Sequence, residues 1–168
     1  MDTKELGNLS PANFEESSGK QNIKGKNASK LVGDKGERIA CEYLVKKGYK
    51  ILCKNYRISL GEIDIIAQKK WSIKNVLQRK NDKTIHFVEV KTSQDFHHER
   101  AERAEGFFPE QRVDWKKRNK YKRLVEIWLS KNKFPQNYPC QVDIIAILID
   151  QTSRKARVHY FQNVVKDY

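Results

Sequence analysis

The sequence predicts one mixed α/β or α+β domain, a central mixed sheet flanked by helices, and three observations lead to that expectation. Two stretches repeat apolar residues at helical spacing, and five shorter ones alternate apolar with polar residues or are continuously apolar, as strands are. The two kinds interleave in the order helix, strand, strand, strand, helix, strand, strand. A length of 168 residues suits a single domain, and a hydrophobic content of 38% is enough for a core.

Residues 1–30 are polar, with Ser17-Ser18-Gly19 among Asn and Lys, and read as a flexible tail ahead of a folded unit over 31–168. From Gly33 onward Ile39, Ala40, Tyr43 and Leu44 fall on one helical face, and Gly48 is the expected stop. Tyr49, Ile51 and Cys53 then alternate with polar residues up to Arg57, and Gly61 turns the chain into a second strand, Glu62 to Gln68. Residues 69–83 hold six Lys/Arg against one Asp and read as an exposed basic insertion. A third strand is expected over Thr84 to Thr92, followed by a charged loop through His97-His98 and Gly106-Phe107-Phe108-Pro109. The long helix, Val113 to Ser130, carries Tyr121, Leu124, Val125, Trp128 and Leu129 on one face. Val142 to Ile149 is apolar enough for a strand buried on both faces, and Arg157 to Gln162 closes the sheet.

Composition narrows the function classes. Lys and Arg number 34 against 21 Asp and Glu, a net charge of +13, and the pI is about 9.6. Such a balance attracts polyanions and is the usual footprint of nucleic-acid binding, with Lys-driven solubility as the plainer alternative. The longest apolar run, Ile144 to Ile149, is six residues, far short of the roughly twenty that span a bilayer. No secretory signal opens the chain. Cys41, Cys53 and Cys140 are odd in number and form no C-x-x-C pair, which fits a reducing cytoplasm better than a disulfide framework or a zinc site.

Acidic residues stand in strands where packing favours apolar ones. In Glu62-Ile63-Asp64-Ile65-Ile66-Ala67, alternation places Ile63, Ile65 and Ala67 on one face and Glu62 and Asp64 on the other. In the third strand Ile85, Phe87, Glu89 and Lys91 share a face, so a core-facing side turns ionic at its end. A buried carboxylate costs desolvation unless it is paired or holds a cation, so the alternatives are a structural ion pair of Lys91 with Glu89 or Asp64, and a site. The triplet acid-x-Lys also occurs at Asp2 and Asp114, so its weight at Glu89 comes from the strand context alone. Glu37 extends the inner stripe of the first helix, three and seven residues before Ala40 and Leu44. Lys117, ahead of Tyr121, Leu124 and Trp128 at helical spacing, is expected to point toward the sheet. Each of the two, taken singly, is more commonly a capping or snorkelling residue. Lys116, Arg118 and Lys120 belong to a run of six basic residues in eight, suited to phosphate contact or to plain solvation. His97-His98 with Glu99 reads as solvated, Glu62 as aimed at solvent by the turn, and Asp143 as a buried hydrogen-bonding acid.

The segments Gly36-Glu37-Arg38-Ile39-Ala40, Asn55-Tyr56-Arg57, Gly61-Glu62-Ile63-Asp64-Ile65-Ile66-Ala67, Phe87-Val88-Glu89-Val90-Lys91-Thr92, Val113 with Lys117, and Val142-Asp143-Ile144-Ile145-Ala146 resemble the YraN-like uncharacterised bacterial family 0102. That family has the restriction-endonuclease-like fold of the PD-(D/E)xK superfamily and is similar to archaeal Holliday-junction resolvases. The resemblance spans about Gly33 to Asn163 and implies an αβββαβ core. It also implies Asp64 as the first acidic residue, Glu89 and Lys91 as the E-x-K pair, and Glu37 as the added helix glutamate of resolvase-like members. The tail and the basic insertion at 69–83 exceed the usual family length.

On this resemblance, Asp64, Glu89, the Val90 carbonyl and Glu37 would bind Mg²⁺ or Mn²⁺, since oxygen donors suit hard cations. Phosphodiester hydrolysis uses such a cation to neutralise phosphate charge and activate water, with Lys91 orienting the water or stabilising developing charge. The implied function is a metal-dependent nuclease acting on DNA, with branched or repair intermediates as the substrates the resolvase likeness favours and a homodimer as the state it suggests. The alternative is a non-catalytic nucleic-acid-binding protein of the same fold.

Overall fold

The computed structural model describes residues 25–70, 82–94, 115–150, 152–153 and 155–165, with side chains from Ser29 in the first helix and Arg118 in the second. Expectations for 1–24, for 71–81 of the basic insertion, and for the loop with His97-His98 lie outside the described residues. The elements are α1 (Gly25–Lys46), β1 (Tyr49–Ile58), β2 (Gly61–Lys69), β3 (Ile85–Ser93), α2 (Trp115–Lys131), β4 (Cys140–Ile149) and β5 (Ala156–Phe161). The order is the one expected, and so is the α+β class.

One boundary differs. Helix α1 begins at Gly25 rather than Gly33, so the last part of the expected tail is helical. Adding about two turns to a helix already nucleated and packed through Ala40, Tyr43 and Leu44 costs little, which polarity alone does not disclose. Its other end matches: Lys47 N–H donates to Tyr43 O, and Gly48 takes φ +84°, a left-handed value that glycine adopts without strain.

The five strands form one mixed sheet in the order β1-β2-β3-β4-β5. β1–β2, β2–β3 and β4–β5 pair antiparallel, and β3–β4 pairs parallel, with Val90 opposite Ile145. The parallel pair needs a long crossover, which α2 supplies. β4 lies between β3 and β5, and Val142 to Ile147 is buried without interruption, as expected for a strand covered on both faces.

Each helix closes one face. Tyr121, Leu124, Val125, Trp128 and Leu129 of α2 pack on Ile63, Ile66, Ile85, Phe87, Val142 and Ile144, with the Trp128 ring edge-on to Phe87 at 5.5 Å. Ala40, Tyr43 and Leu44 of α1 pack on Ile65, Ala67, Val88, Ile145 and Ile147. Burial of these apolar side chains, about 25 cal/mol for each Å² removed from water, holds both layers to the sheet. Among the described residues no helix is long and apolar enough to cross a membrane.

The alternation expected of β2 fails at one point. Ile63 packs with Ile66 in the α2-side core, whereas Ile65 and Ala67 pack on the α1 side, so Ile63 does not share the face of Ile65 and Ala67. The reason lies across the sheet. The β2–β3 register runs from Gln68↔Ile85 to Ile65↔Val88, and two residues further it would oppose Ile63 to Val90. There the Val90 N–H donates instead to the Asp64 carboxylate, at 2.7 Å.

Candidate functional site

The place where β2 and β3 cease regular pairing is where the predicted acids meet. Asp64 and Val90 form a partition with a cleft on either side. The α1-side cleft, about 440 Å³, is lined by Ser29, Val32, Gly33, Glu37, Thr92, Ser93 and Gln94 besides the partition. The α2-side cleft, about 240 Å³, is lined by Glu62, Ile63, Phe87, Val88, Glu89, Lys91, Lys120 and Tyr121 together with the same two residues.

Local packing sets each group in place. Glu89 and Lys91 follow Phe87 on the α2 face of β3 by strict alternation, so the pleat that buries Phe87 delivers them into the second cleft. Glu37 enters the first cleft because α1 touches β3 closely one residue earlier, where a Cβ on Gly36 would collide with the Thr92 side chain. A glycine there lets the helix backbone approach and brings Glu37 within electrostatic reach of Asp64.

Charge at the partition is uneven. Burial pushes the half-buried Asp64 carboxyl from the ordinary 3.8 up to about 6, the Val90 hydrogen bond opposes that rise, and the carboxylates of Glu37, Glu89 and Glu62 add to it. Glu89 is 14% exposed and ion-pairs with Lys91, which is 47% exposed. The contact anticipated as the structural alternative is therefore present, and it leaves Asp64 facing other carboxylates. Glu62 has the solvent-facing position expected of it, 59% exposed and bonded to Arg57 at 3.0 Å.

The donors suit a hard divalent cation: carboxylate oxygens and, on the strand edge from which the Val90 N–H points, the carbonyl of the same residue. Negative charge gathered around a carboxyl that is already reluctant to ionise is relieved by a cation. Among the described residues no three His, Cys, Asp or Glu side chains are drawn together closely enough to hold a metal ion. The side chains of Lys116 and Lys117 lie outside the described residues. Arg118 and Lys120 are exposed on α2, and only Lys120 of these two lines a cleft.

Sequence reasoning did not single out Thr92, Ser93, Gln94 and Ser29, small polar residues whose place in the first cleft depends on how α1 crosses β3. Nor did it anticipate the partners of Asp143. This acid, fully buried, accepts from His86 Nδ1 and Tyr160 Oη through Oδ2, at 2.7 and 2.6 Å. Its Oδ1 accepts from Gln141 Nε2 and the Asn163 N–H, at 2.7 and 2.8 Å. Burial and the Asp143 charge push the Tyr160 phenol far above its usual range, so it remains a donor.

A family model described as "Uncharacterised protein family UPF0102" matches residues 36–147, the span from the close helix contact into β4. A UPF0102 protein of Campylobacter lari is 36% identical over 77% of this chain and 95% of its own. One from Caldicellulosiruptor bescii is 34% identical over 82% of this chain and 96% of its own. One from Clostridioides difficile is 36% identical over 72% of this chain and 88% of its own.

Proposed function

The chain belongs to the uncharacterised protein family UPF0102, and from its cleft we propose that it is a metal-dependent nuclease that hydrolyses phosphodiester bonds in DNA. One observation carries the reading: Asp64, fixed by the Val90 N–H, stands within electrostatic reach of the carboxylates of Glu37 and Glu89 where the β2–β3 ladder opens into two clefts. A sheet built only for stability gains nothing from like charges gathered at an open edge. The net charge of +13 supplies the long-range attraction for a polyanion.

A divalent cation bound by Asp64, Glu89 and the Val90 carbonyl would neutralise charge on the phosphate and lower the pKa of water. The rest is done by the chain. The Val90 N–H fixes the orientation of Asp64, so that no rotamer search precedes binding. Lys91, beside Glu89, donates to a phosphate oxygen as negative charge develops. Glu37, in the cleft on the far side of the partition, accepts hydrogen bonds from water there. Branched DNA is the first substrate class to test. The cytoplasm suits a protein whose three thiols are all free.

The test is incubation of the wild type, Glu89→Gln and Lys91→Ala proteins with labelled four-way junctions, single strands and duplex in Mg²⁺ or Mn²⁺. The expected result is cleavage by the wild type and a loss of about a thousandfold or more in Glu89→Gln, comparable to removing a principal charge-stabilising group. DNA binding without cleavage of any substrate would leave a non-catalytic nucleic-acid-binding protein as the correct reading.

A further inference from the structure

The two clefts beside Asp64 differ in charge, and the difference assigns a role to one lysine. The α1-side cleft is lined by hydroxyl, amide and apolar groups with the single charge of Glu37 besides Asp64. The α2-side cleft has two lysines, Lys91 and Lys120, beside the carboxylates of Glu62, which is bonded to Arg57, and Glu89. Lys91 is engaged with Glu89. Among the described residues, no carboxylate lies within an ion-pair distance of 4 Å of the Lys120 ammonium.

Lys120 lies close to the turn that opens β2. Its stem lies across Gly61, at the start of β2, where a Cβ would overlap Cε and stand 2.7 Å from Nζ. Gly61 has φ +152°, a conformation that side chains disfavour, so the turn requires glycine and the glycine makes room for the lysine. Leu124, one turn further along α2, also borders that space, its Cδ1 3.6 Å from where the Cβ would be. A cation with no carboxylate at ion-pair distance among the described residues, lying over Gly61 in a cleft with Asp64 and Glu89, is arranged to meet an anion brought by something else.

We propose that Lys120 binds a non-bridging oxygen of the substrate phosphate, so that the nucleic-acid backbone enters over α2 and the Asp64–Val90 partition separates it from the water side, where Glu37 stands. This inference rests on the proposed nuclease reading and adds to it a direction of entry and a specific phosphate contact. It also makes Gly61 a positioning residue, acting through Lys120.

The experiment measures equilibrium binding of a labelled four-way DNA junction in Ca²⁺ as a function of salt, together with the Mn²⁺-induced change in Tm. Lys120→Ala is expected to weaken binding about tenfold and to lower the slope of log affinity against log salt by about one. Its Mn²⁺ response should equal that of the wild type, because the carboxylates are untouched. Lys46→Ala, which removes the same charge at the far end of α1, should change affinity by less than about twofold, and Lys120→Arg should restore most of what Lys120→Ala loses. Gly61→Ala displaces only the flexible end of Lys120, so its effect on DNA binding should be smaller than that of Lys120→Ala and should vanish in the Lys120→Ala background, the non-additivity of two changes acting on one contact. If the wild type binds and Lys120→Ala binds within twofold of it with an unchanged slope, the assignment is wrong and the nuclease reading survives. A wild type that binds none of the DNA at any salt overturns both.

Discussion

Two aspartates stand in the sheet, and they are treated in opposite ways. Asp143 is fully buried and receives four hydrogen bonds, from β3, β4, β5 and the segment after β5. Asp64 is half-buried, receives the Val90 N–H, and faces three carboxylates that raise its pKa. His86 and Val90, which bond the two acids, are four residues apart on β3, about 13 Å along the strand. A single strand, β3, thus donates to one acid whose desolvation is offset by further donors and to another whose desolvation is worsened by like charge. The first arrangement welds strands together, and the second is useful only when something positive arrives.

The largest expected effect tests the welded end. Asp143→Ala would leave His86, Tyr160, Gln141 and the Asn163 N–H without their acceptor, at a cost of about 3 to 5 kcal/mol and a fall in Tm of roughly 10 °C. Tyr160→Phe removes a single donor and should cost about 1 to 2 kcal/mol. Thermal denaturation of both measures the contrast. A fall of less than about 2 °C in Asp143→Ala would mean that the two aspartates differ less than their hydrogen bonds indicate.

How far the sequence foretold each centre follows from the range of its interactions. Glu89 and Lys91 were legible because β3 keeps its two-residue period from Ile85 through Lys91, so the face of Phe87 fixes theirs. Asp64 was legible as an acid in an apolar strand, but the face of Ile63 was not, since one side-chain hydrogen bond to a strand 26 residues away interrupts the pleat. The anomaly of Asp143 was equally visible, yet its partner His86 lies 57 residues earlier and is selected by sheet register. Lys120 appeared only as one member of a basic run, because its position over Gly61 depends on how α2 docks.

A smaller effect, about 2 kcal/mol, tests the poised end by pH. Asp64 binds its proton more tightly in the folded protein, near pH 6, than in the unfolded chain, near 3.8. Its contribution to stability is therefore complete below about pH 4 and is lost as pH rises through 6. Two pKa units correspond to about 3 kcal/mol, and water screening of the half-buried carboxyl reduces this to roughly 2. Asp64→Asn keeps an acceptor for the Val90 N–H and removes the titration. The variant should match the wild type near pH 4 and exceed it in urea midpoint at pH 8. Parallel stability curves for the two proteins across that range would show that Asp64 carries no strain of charge.

The smallest effect joins the pH argument to the cation. Mn²⁺ at ten times its Kd should add about 1.4 kcal/mol, a Tm rise of roughly 3 to 6 °C, in the wild type and none in Glu89→Ala. Below pH 6 the cation must displace the Asp64 proton, so the same concentration should give a smaller rise at pH 5 than at pH 7.5. Asp143→Asn, whose network lies along β3 from the clefts, should lower the starting Tm while leaving the Mn²⁺ increment intact. An increment that persists in Glu89→Ala, or that disappears in Asp143→Asn, would place the cation elsewhere and dissolve the distinction between the two ends of β3. An increment confined to proteins with both Asp64 and Glu89 would mean that the charge strain at the open edge is the folded protein's provision for a cation.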